Sequence, residues 1–314
     1  MIKTEDHHWV LKFLLRNFAS SDGKVFFFDI KSRTVGKRPP KQLASRPNFN
    51  NLILRGEPTS FERFFETIET RAAPVISRII AEKSLAQVDK NDRLKVSFFI
   101  AAQSFRTDAY RLGLGQSRGV KDIGQAVAAN SDSIELLAAL ISKRRWALMC
   151  APKNECFILG DSPFVLQKTE SPSEGGSVGL DVPGVEAMLP ISPDLALYML
   201  PREIGDEFLN RYWNALKIVA GSVSGIGSFA AVSQADKEIA TQCLRAGHGL
   251  YRALRHGEAF VAETDNVSNL NALQLSWSSA QLYSRDNDFS FVEHVLDNSP
   301  SAGSIIPVRL VQRW

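Results

Sequence analysis

The sequence contains little cysteine. Cys150, Cys156 and Cys243 are three residues in a chain of 314, and an odd, scattered set excludes the disulfide scaffold of a small secreted domain. No two of them have C-x-x-C spacing, and the five histidines show neither H-x-x-x-H nor H-E-x-x-H spacing. A structural zinc site is therefore not predicted. This cysteine usage is typical of a reducing compartment, and we expect a cytoplasmic protein.

Long apolar runs and a dominant charge are also lacking. No segment approaches the roughly 20 apolar residues of a membrane-spanning helix, and the first residues do not resemble a signal peptide. Lys plus Arg number 37 against 34 for Asp plus Glu, which gives a net charge of +3. The glycines at 221–227 match neither a P-loop nor G-x-G-x-x-G. We expect a soluble protein without a membrane partner, and composition does not indicate a nucleic-acid coat protein.

Three long helices are predicted from apolar spacing. Between residues 61 and 80, apolar side chains recur at steps of three and four, the stripe of an amphipathic helix. Residues 94–111 repeat this pattern after a cap at Asn91-Asp92, and we expect the two helices to pack together. A third helix covers 131–145. Its basic end, 143–145, is explained by the negative end of the helix dipole.

Strands are predicted between these helices. The segment KVFFFDI is strand-like, and residues 146–161 have the pattern of a β-hairpin with a Pro-Lys-Asn-Glu turn. An irregular loop that can include edge strands is predicted at 31–58, which contains several prolines, and a second loop at 169–186, which is rich in Ser, Gly and Pro. The predicted class is α+β, with dominant helices packed on a small, mainly antiparallel sheet. We expect a single domain over residues 1–314, the alternative being a break near residue 145.

Several spaced motifs resemble domain-of-unknown-function family 4238. Members of that family typically open with a His-Tyr-Val-Pro-like segment and Leu-Arg/Lys-x-Phe, then carry a glutamate-bearing helix, Gln-x-x-Arg-Thr, Phe-Ile-x-x-Asp-x-Pro and Leu-Asn. The similar segments here are His8–Leu11, Leu15–Phe18, Glu62–Glu69, Gln103–Thr107, Phe157–Pro163 and Leu270-Asn271. Leu11 stands where the family usually has proline. The resemblance covers nearly the whole chain and implies a single intracellular unit of microbial origin, with no activity to transfer.

A single carboxylate follows an apolar segment in FILGDSPF. Asp161 comes at the end of a predicted strand, where a scaffold can hold a carboxylate rigidly at a cleft, and Pro163 fixes the turn after it. The alternative is an Asx-turn, in which the carboxylate accepts local backbone amides. Asp161 is therefore a candidate catalytic residue or a turn former.

An amide and a guanidinium share one side of the second predicted helix. Gln103 and Arg106 are three residues apart and lie on the same side as aromatic residues. The partner of Arg106 is predicted to be a structural carboxylate, such as Glu69 or Asp161, or else a phosphate or carboxylate of a ligand. Gln103 and Arg106 are candidate substrate-binding residues.

A further helix is predicted at His8–Phe18, and it offers an imidazole and another guanidinium. His8 can act as a general base or metal ligand near neutral pH, although most single histidines do neither. Arg16 follows on the same predicted helix and is a candidate substrate-binding residue. Glu69 is three residues from Glu66, where a solvated face is the default interpretation. His8 and Glu69 are nevertheless candidate catalytic residues.

Two classes of function remain open. The first is a hydrolase of phosphodiesters or nucleotides, with nucleic acid or a nucleotide as partner. In it, Asp161 and Glu69 would bind a divalent metal or orient water, His8 would move the proton, and Arg106 would hold the phosphate. The second is a non-catalytic module in which the same polar residues form a buried network, while the two predicted loops present a surface for a ligand or a protein partner.

Overall fold

A computed structural model describes residues 6–47, 51–54, 57–107, 131–168, 179–224 and 232–299. Within these residues the chain forms eight α-helices and several small, mostly antiparallel sheets, so the fold class is α+β, as predicted. None of the helices in these ranges combines the length and the apolar character that crossing a membrane requires.

Helices and strands alternate irregularly along the chain. The helices are α1 Lys12–Asn17, α2 Glu62–Glu82, α3 Lys90–Phe105, α4 Ser131–Lys143, α5 Arg202–Ser224, α6 Gln234–His256, α7 Thr264–Trp277 and α8 Ser290–Asn298. The strands are β1 Asp6–His8, β2 Val25–Asp29, β3 Thr34–Arg38, β4 Ser45–Pro47, β5 Asn51–Leu54, β6 Glu57–Ser60, β7 Arg145–Cys150, β8 Leu159–Gly160, β9 Val165–Lys168, β10 Val185–Ser192, β11 Leu195–Leu200, β12 Ala259–Val261 and β13 Gln281–Ser284.

The largest sheet has five strands in the order β12-β7-β11-β10-β9. β12 pairs with β7 in parallel, and the other neighbours are antiparallel. One face carries Leu148, Leu197 and Leu189, which are opposite one another in the register and buried in the main core. The other face carries Met149 and Tyr198 and is covered in part by α6, which packs on β7 and β12. A pocket remains between this second face and α6.

A second sheet has four strands in the order β3-β2-β13-β8. Gly160 of β8 pairs with Leu282 of β13, whereas β7 pairs with β11 and β12. The hairpin predicted over residues 146–161 is therefore wrong, because its two strands belong to different sheets. The residues between them are bonded to the turn that joins β10 and β11, with Ala151 N donating to Asp194 O at 2.9 Å. This contact lies in the connection between β7 of the five-stranded sheet and β8 of the four-stranded sheet.

The two long helices α2 and α3 pack against each other, as predicted. The cap of α3 differs from the predicted Asn91-Asp92 pair. Asp89 is the N-cap, since its backbone is extended and its carboxylate accepts the amide of Asp92 at 2.7 Å. α3 ends at Phe105, and residues 108–111 of the predicted helix lie outside the described residues.

The short strands within residues 31–58 agree with the edge strands considered for this segment. β3 lies at an edge of the four-stranded sheet, and β4 and β5 each belong to a two-stranded sheet. Of the other loop, 169–186, residues 169–178 lie outside the described residues, and β10 already begins at Val185.

The connection between α2 and α3 is bonded to the end of α6. Leu85 N donates to Gly257 O at 2.6 Å, and the Ser84 hydroxyl donates to the same oxygen at 3.0 Å. Gly257 has a φ of +73°, and a Cβ at this position would lie 2.5 Å from Ala86 N. A residue without a side chain is therefore required where the two segments meet.

The main core joins both halves of the chain. One cluster of buried apolar residues extends from Trp9 to Tyr283 and includes Trp146, directly after the alternative break near residue 145. A smaller cluster lies between β2 and α8. This arrangement favours a single domain over residues 1–314, which stays a prediction.

Candidate functional site

Arg106 follows α3 and is buried, with 1% of its side chain exposed. Its Nη1 donates to Glu69 Oε1 of α2 at 2.7 Å, and its Nη2 donates to the backbone oxygen of His8. The Glu62 carboxylate lies 4.0 Å from Nη2, and the centroid of the Phe65 ring lies 4.6 Å from the guanidinium carbon. Of the two carboxylates proposed from the sequence as partners of Arg106, Glu69 is the one in contact.

Burial acts against both charges of the Arg106–Glu69 pair. It lowers the pKa of Arg106, whereas the carboxylates of Glu69 and Glu62 raise it. Burial likewise raises the pKa of Glu69, whereas Arg106 lowers it. Each partner thus offsets part of the desolvation of the other. The Glu69 side chain is 23% exposed, so solvent reaches the pair from the carboxylate side.

Gln103 and Arg106 hold the segment that precedes α1. Gln103 Nε2 donates to the Trp9 oxygen at 2.5 Å, and Arg106 donates to the preceding carbonyl, that of His8. Two side chains of α3 therefore bond two consecutive buried carbonyls, which would otherwise lose their hydrogen bonds to water. Because Gln103 and Arg106 are each 1% exposed, these contacts stabilise the fold and do not line an open cleft.

The structure places His8 and Arg16 differently from the sequence-based expectation. His8 lies in β1, and α1 begins only at Lys12, because Leu11 has an extended backbone and is the N-cap. The contact of His8 with Arg106 is made by its backbone oxygen, and its side chain is buried. Arg16 is exposed on α1 and, among the described residues, forms no hydrogen bond or ion pair with Arg106.

Asp161 directly follows β8 and is 1% exposed. Its carboxylate accepts the backbone amides of Ser279 at 2.9 Å, Ala280 at 2.7 Å and Gln281 at 3.0 Å. The Ser279 hydroxyl donates to it at 3.1 Å. Burial raises the pKa of Asp161 to about 6, while these hydrogen bonds act in the opposite direction. The carboxylate therefore fixes the connection between α7 and β13.

The residues predicted to form one site fall into two groups. An Asx-turn would use amides next to Asp161, whereas its actual donors lie 118 to 120 residues away along the chain. Among the described residues, Asp161 forms no hydrogen bond or ion pair with Arg106, Glu69 or His8. The same part of the chain contains no group of three or more His, Cys, Asp or Glu residues arranged to hold a metal ion.

A cleft of about 630 Å³ lies where α3 begins, α4 ends and β7 starts. We call it the basic cleft, because its lining includes six basic side chains and one carboxylate, that of Asp89. The basic residues are Lys90 and Arg93 of α3, Lys143 of α4, Arg144 and Arg145 at the start of β7, and Arg202 of α5. This local excess of positive charge contrasts with the net charge of +3 for the whole chain.

Arg93 and Arg144 are held in the basic cleft by an aromatic ring and by backbone carbonyls. Arg93 lies over the Trp146 ring, 4.9 Å from its centroid, and donates to the Arg144 oxygen at 3.1 Å. Arg144 donates through both Nη atoms to the Val185 oxygen. Burial lowers the pKa of both side chains, that of Arg144 to about 10, and the charge of Arg145 lowers the pKa of Arg93 further. Both remain protonated at neutral pH.

The positive charge of the basic cleft is neutralised only in part. Arg145 Nε donates to Asp206 Oδ1 at 2.6 Å, and Arg202 Nε lies 3.5 Å from the other oxygen of that carboxylate. Within the described residues, the other four basic side chains form no ion pair, and Nε of Arg144 is buried without a hydrogen-bond partner. The carboxylate of Asp89 is engaged in capping α3. Cationic donors therefore remain available in the basic cleft.

The basic cleft was not predicted from the sequence. Residues 143–145 were predicted to form the last turn of a helix, but α4 ends at Lys143, and Arg145 already belongs to β7. The local signal was a basic run directly before a strongly apolar strand, which places the run where the strand emerges from the core. Arg93 is 51 residues from Arg144 in the sequence, and no local pattern associates the two.

Comparisons with known proteins give a family without a described activity. A family model described as "Protein of unknown function (DUF4238)" matches residues 6–126 and 121–288. No curated protein and no solved structure matches the chain.

Proposed function

We propose that this chain, which belongs to the family of proteins of unknown function DUF4238, is a non-catalytic module that binds a phosphate-bearing anion. The proposed site is the basic cleft. The contacts of Arg106 and Asp161 support the second of the two functions considered from the sequence, in which these residues stabilise the fold. The basic cleft adds the chemical class of the ligand.

The observation that carries the proposal is the excess of cationic groups. Four of the six basic side chains in the basic cleft form no ion pair within the described residues, although the charges of Glu203 and Glu186 act on Arg144 from beyond ion-pair distance. Burial of these charges is unfavourable: desolvation lowers the pKa of Arg93 and of Arg144, and repulsion by Arg145 lowers the pKa of Arg93 further. An anion with two or more charges would reduce this repulsion and replace the lost hydration. The same field would accelerate association with such a ligand.

The size and donors of the basic cleft favour a small ligand with a pyrophosphate group. Guanidinium groups present planar pairs of donors that match phosphate oxygens. The volume of about 630 Å³ falls within the range of roughly 300–1,000 Å³ that is common for small-molecule sites. Trp146 is 3% exposed beneath Arg93, so a nucleobase would not stack on its ring. A nucleoside diphosphate or triphosphate would be held by its phosphates.

Hydrolysis of a phosphodiester or nucleotide would require a group that activates water. The basic cleft contains one carboxylate, that of Asp89, and this carboxylate accepts the Asp92 amide. The two carboxylates assigned to a hydrolase from the sequence are bonded elsewhere, Asp161 to residues 279–281 and Glu69 to Arg106. These contacts favour binding over catalysis.

Calorimetric titration with pyrophosphate, ADP and ATP tests the proposal. The double variant Lys90→Met/Arg93→Met removes two charges from the basic cleft. We expect its affinity for pyrophosphate to fall about 100-fold, since hydrogen bonds to charged groups contribute roughly 1.5–3 kcal/mol each. The matched control, Lys12→Met/Arg211→Met, removes two exposed charges from α1 and α5. The control should bind pyrophosphate as the wild type does.

The same titrations separate the proposal from its competitors. No heat of binding at millimolar pyrophosphate, or an equal loss of affinity in both double variants, would overturn the proposal. Tighter binding of a short single-stranded oligonucleotide than of ATP would make nucleic acid the ligand. Turnover of a nucleotide with Mg²⁺ or Mn²⁺ that is abolished in a folded Asp161→Asn protein would establish the hydrolase instead.

A further inference from the structure

A second cavity, of about 180 Å³, adjoins the basic cleft. Lys143, Arg144 and Arg202 line both cavities, so these three side chains form the partition between them. The remaining lining comes from α4, from the segment before β10 and from the start of α5. We call this cavity the side pocket. Because it is smaller than the roughly 300 Å³ at which sites for small molecules begin, we interpret it as an extension of the basic cleft.

The start of α5 is fixed against the start of β7. A Cβ built on Gly205 would lie 2.6 Å from Arg145 Cγ, so a residue without a side chain is needed where Arg145 packs on α5. Arg145 Nε also donates to Asp206 Oδ1 at 2.6 Å. The first two residues of the same helix, Arg202 and Glu203, line the side pocket. Their position relative to the basic cleft is therefore determined by packed elements.

Arg144 connects the basic cleft with another wall of the side pocket. Both of its Nη atoms donate to the Val185 oxygen, and Val185 N in turn donates to the Val182 oxygen at 3.4 Å. The segment 180–183 is thus held by a side chain that lines both cavities. The Arg144 side chain is 6% exposed, and its Nε has no hydrogen-bond partner within the described residues. A buried donor of this kind indicates that a ligand or water oxygen belongs next to the partition.

The lining of the side pocket combines aliphatic surface with two carboxylates, those of Asp181 and Glu203. Its aliphatic residues are Leu140, Leu180, Val182, Pro183 and Pro201. The charge of Glu203 already acts on Arg144, but an ionised carboxylate has about four acceptor positions and can accept a hydroxyl in addition. No aromatic side chain occurs among the described lining residues, so a nucleobase has no ring to stack on. A group with apolar C–H faces and hydroxyl donors fits this lining.

We propose that the side pocket holds the sugar of a ligand whose diphosphate lies in the basic cleft, which makes the ligand a sugar diphosphate such as a ribonucleoside diphosphate. This inference rests on the function proposed above for the basic cleft. The partition would bind the phosphate nearest the sugar, and Asp181 and Glu203 would accept the sugar hydroxyls. At about 30 Å³ per water molecule, the side pocket has room for about six waters, which is enough for a pentose and too little for a whole nucleoside.

Calorimetric titration with ADP and 2′,3′-dideoxy-ADP tests the inference, because the two probes have the same charge and differ in two hydroxyls. We expect ADP to bind about tenfold more tightly, since hydrogen bonds to charged groups are stronger than those to neutral groups. Asp181→Ala/Glu203→Ala should make the two affinities equal. The lost negative charge affects both probes alike, so the ratio of affinities reports the hydroxyls. The matched control, Glu238→Ala/Asp265→Ala, removes two exposed carboxylates from α6 and α7 and should retain the wild-type ratio.

A steric variant tests the side pocket without a change of charge. Val182→Phe places a ring in the side pocket, so the sugar should lose its contacts there, and the affinity for ADP should fall about tenfold. The affinity for pyrophosphate should not change, since pyrophosphate needs only the basic cleft. The melting temperature followed by circular dichroism shows whether the variant is folded.

The outcomes distinguish a failure of this inference from a failure of the proposed function. If pyrophosphate binds and loses affinity in Lys90→Met/Arg93→Met, while ADP and its dideoxy analogue bind equally, the basic cleft binds phosphate and the assignment of the sugar is wrong. A wild-type ratio in Asp181→Ala/Glu203→Ala would also overturn the assignment. If that variant does not fold, an unchanged ADP affinity in folded Val182→Phe has the same consequence. If pyrophosphate does not bind, both proposals are overturned.

Discussion

Buried and half-buried arginines occur in two regions of this molecule, and the regions differ in what surrounds the charge of the arginines. Arg106 lies 2.7 Å from the Glu69 carboxylate and 4.0 Å from that of Glu62. In the basic cleft, Arg93 and Arg144 donate to backbone carbonyls, and neither forms an ion pair within the described residues. Burial lowers the pKa of all three. A buried guanidinium is therefore informative about ligands only when its counter-charge is considered.

Asp161 belongs with Arg106 in this comparison. Its carboxylate is saturated by three backbone amides and a hydroxyl, so it fixes the connection between α7 and β13. Charges that are paired inside the fold should affect stability and leave ligand binding unchanged. Charges that remain unpaired in the basic cleft should affect ligand binding and leave stability unchanged.

Asp161→Ala should have the largest effect. Three partly buried amides at residues 279–281 lose their acceptor. Unsatisfied buried groups cost roughly 1–3 kcal/mol each, so the free energy of unfolding should fall by about 4 kcal/mol. The melting temperature followed by circular dichroism should fall by about 10 °C. Affinity for pyrophosphate should be retained below the new transition. A variant that melts like the wild type would contradict the role assigned to Asp161.

The stability contributed by Asp161 should also depend on pH. Its pKa is raised from the usual 3.8 to about 6, so between these values the folded state retains a proton that the unfolded state has lost. The contribution is therefore greatest below about pH 4 and falls by about 3 kcal/mol as the pH rises to about 6. Urea unfolding of the wild type and of Asp161→Asn measures this. The stability difference, wild type minus variant, should be smaller at neutral pH than in acid, and a constant difference would refute the shift.

Glu69→Gln should have an intermediate effect. It leaves the buried Arg106 without its nearest carboxylate, and we expect a loss of about 2 kcal/mol, less than for a fully buried pair because Glu69 is partly exposed. Arg106→Met/Glu69→Gln should be more stable than the sum of the single changes predicts, since the charge is removed together with its partner. A double-mutant cycle from denaturant unfolding measures the coupling. Strict additivity would show that the two side chains do not stabilise each other.

Lys143→Met should have the smallest effect, and it should act on binding. Lys143 is exposed at the rim of the basic cleft, where a single contact is worth about 0.2–1 kcal/mol, so pyrophosphate affinity should fall about threefold. The difference should shrink at high salt, which screens exposed charges. The melting temperature should not change. If Lys143→Met destabilises the protein without weakening pyrophosphate binding, Lys143 acts on stability and not on ligand binding, contrary to this prediction.

The sequence predicted the features that depend on local spacing. The apolar stripe at 61–80 begins at the N-cap of α2 and continues along the helix, which packs against α3. Periodicity within a segment determines which face is buried. Glu69 was one of two carboxylates considered as partners of Arg106, since a buried guanidinium favours a carboxylate from a neighbouring element.

Features that depend on distant segments were not predictable in this way. The amides bound by Asp161 lie 118 to 120 residues away, and Arg93 meets Arg144 across 51 residues. The false hairpin has the same origin, because an apolar strand pattern indicates burial in a sheet but does not identify the neighbouring strand. His8 was assigned to the first helix from the apolar residues that follow it, whereas the extended backbone of Leu11 delays the helix to Lys12.

The bond between Leu85 and Gly257 has a consequence for recognition at the basic cleft. Lys90 and Arg93 follow Leu85 closely in the sequence, and Leu254 precedes Gly257. The hydrogen bond between Leu85 and Gly257 therefore joins the α3 side and the α6 side of the basic cleft before a ligand binds. A preorganised receptor loses little conformational freedom on association, and its selectivity depends on matching the spacing of its charges. Anions that have equal charge but different distances between their phosphoryl groups should therefore bind to the basic cleft with different affinities.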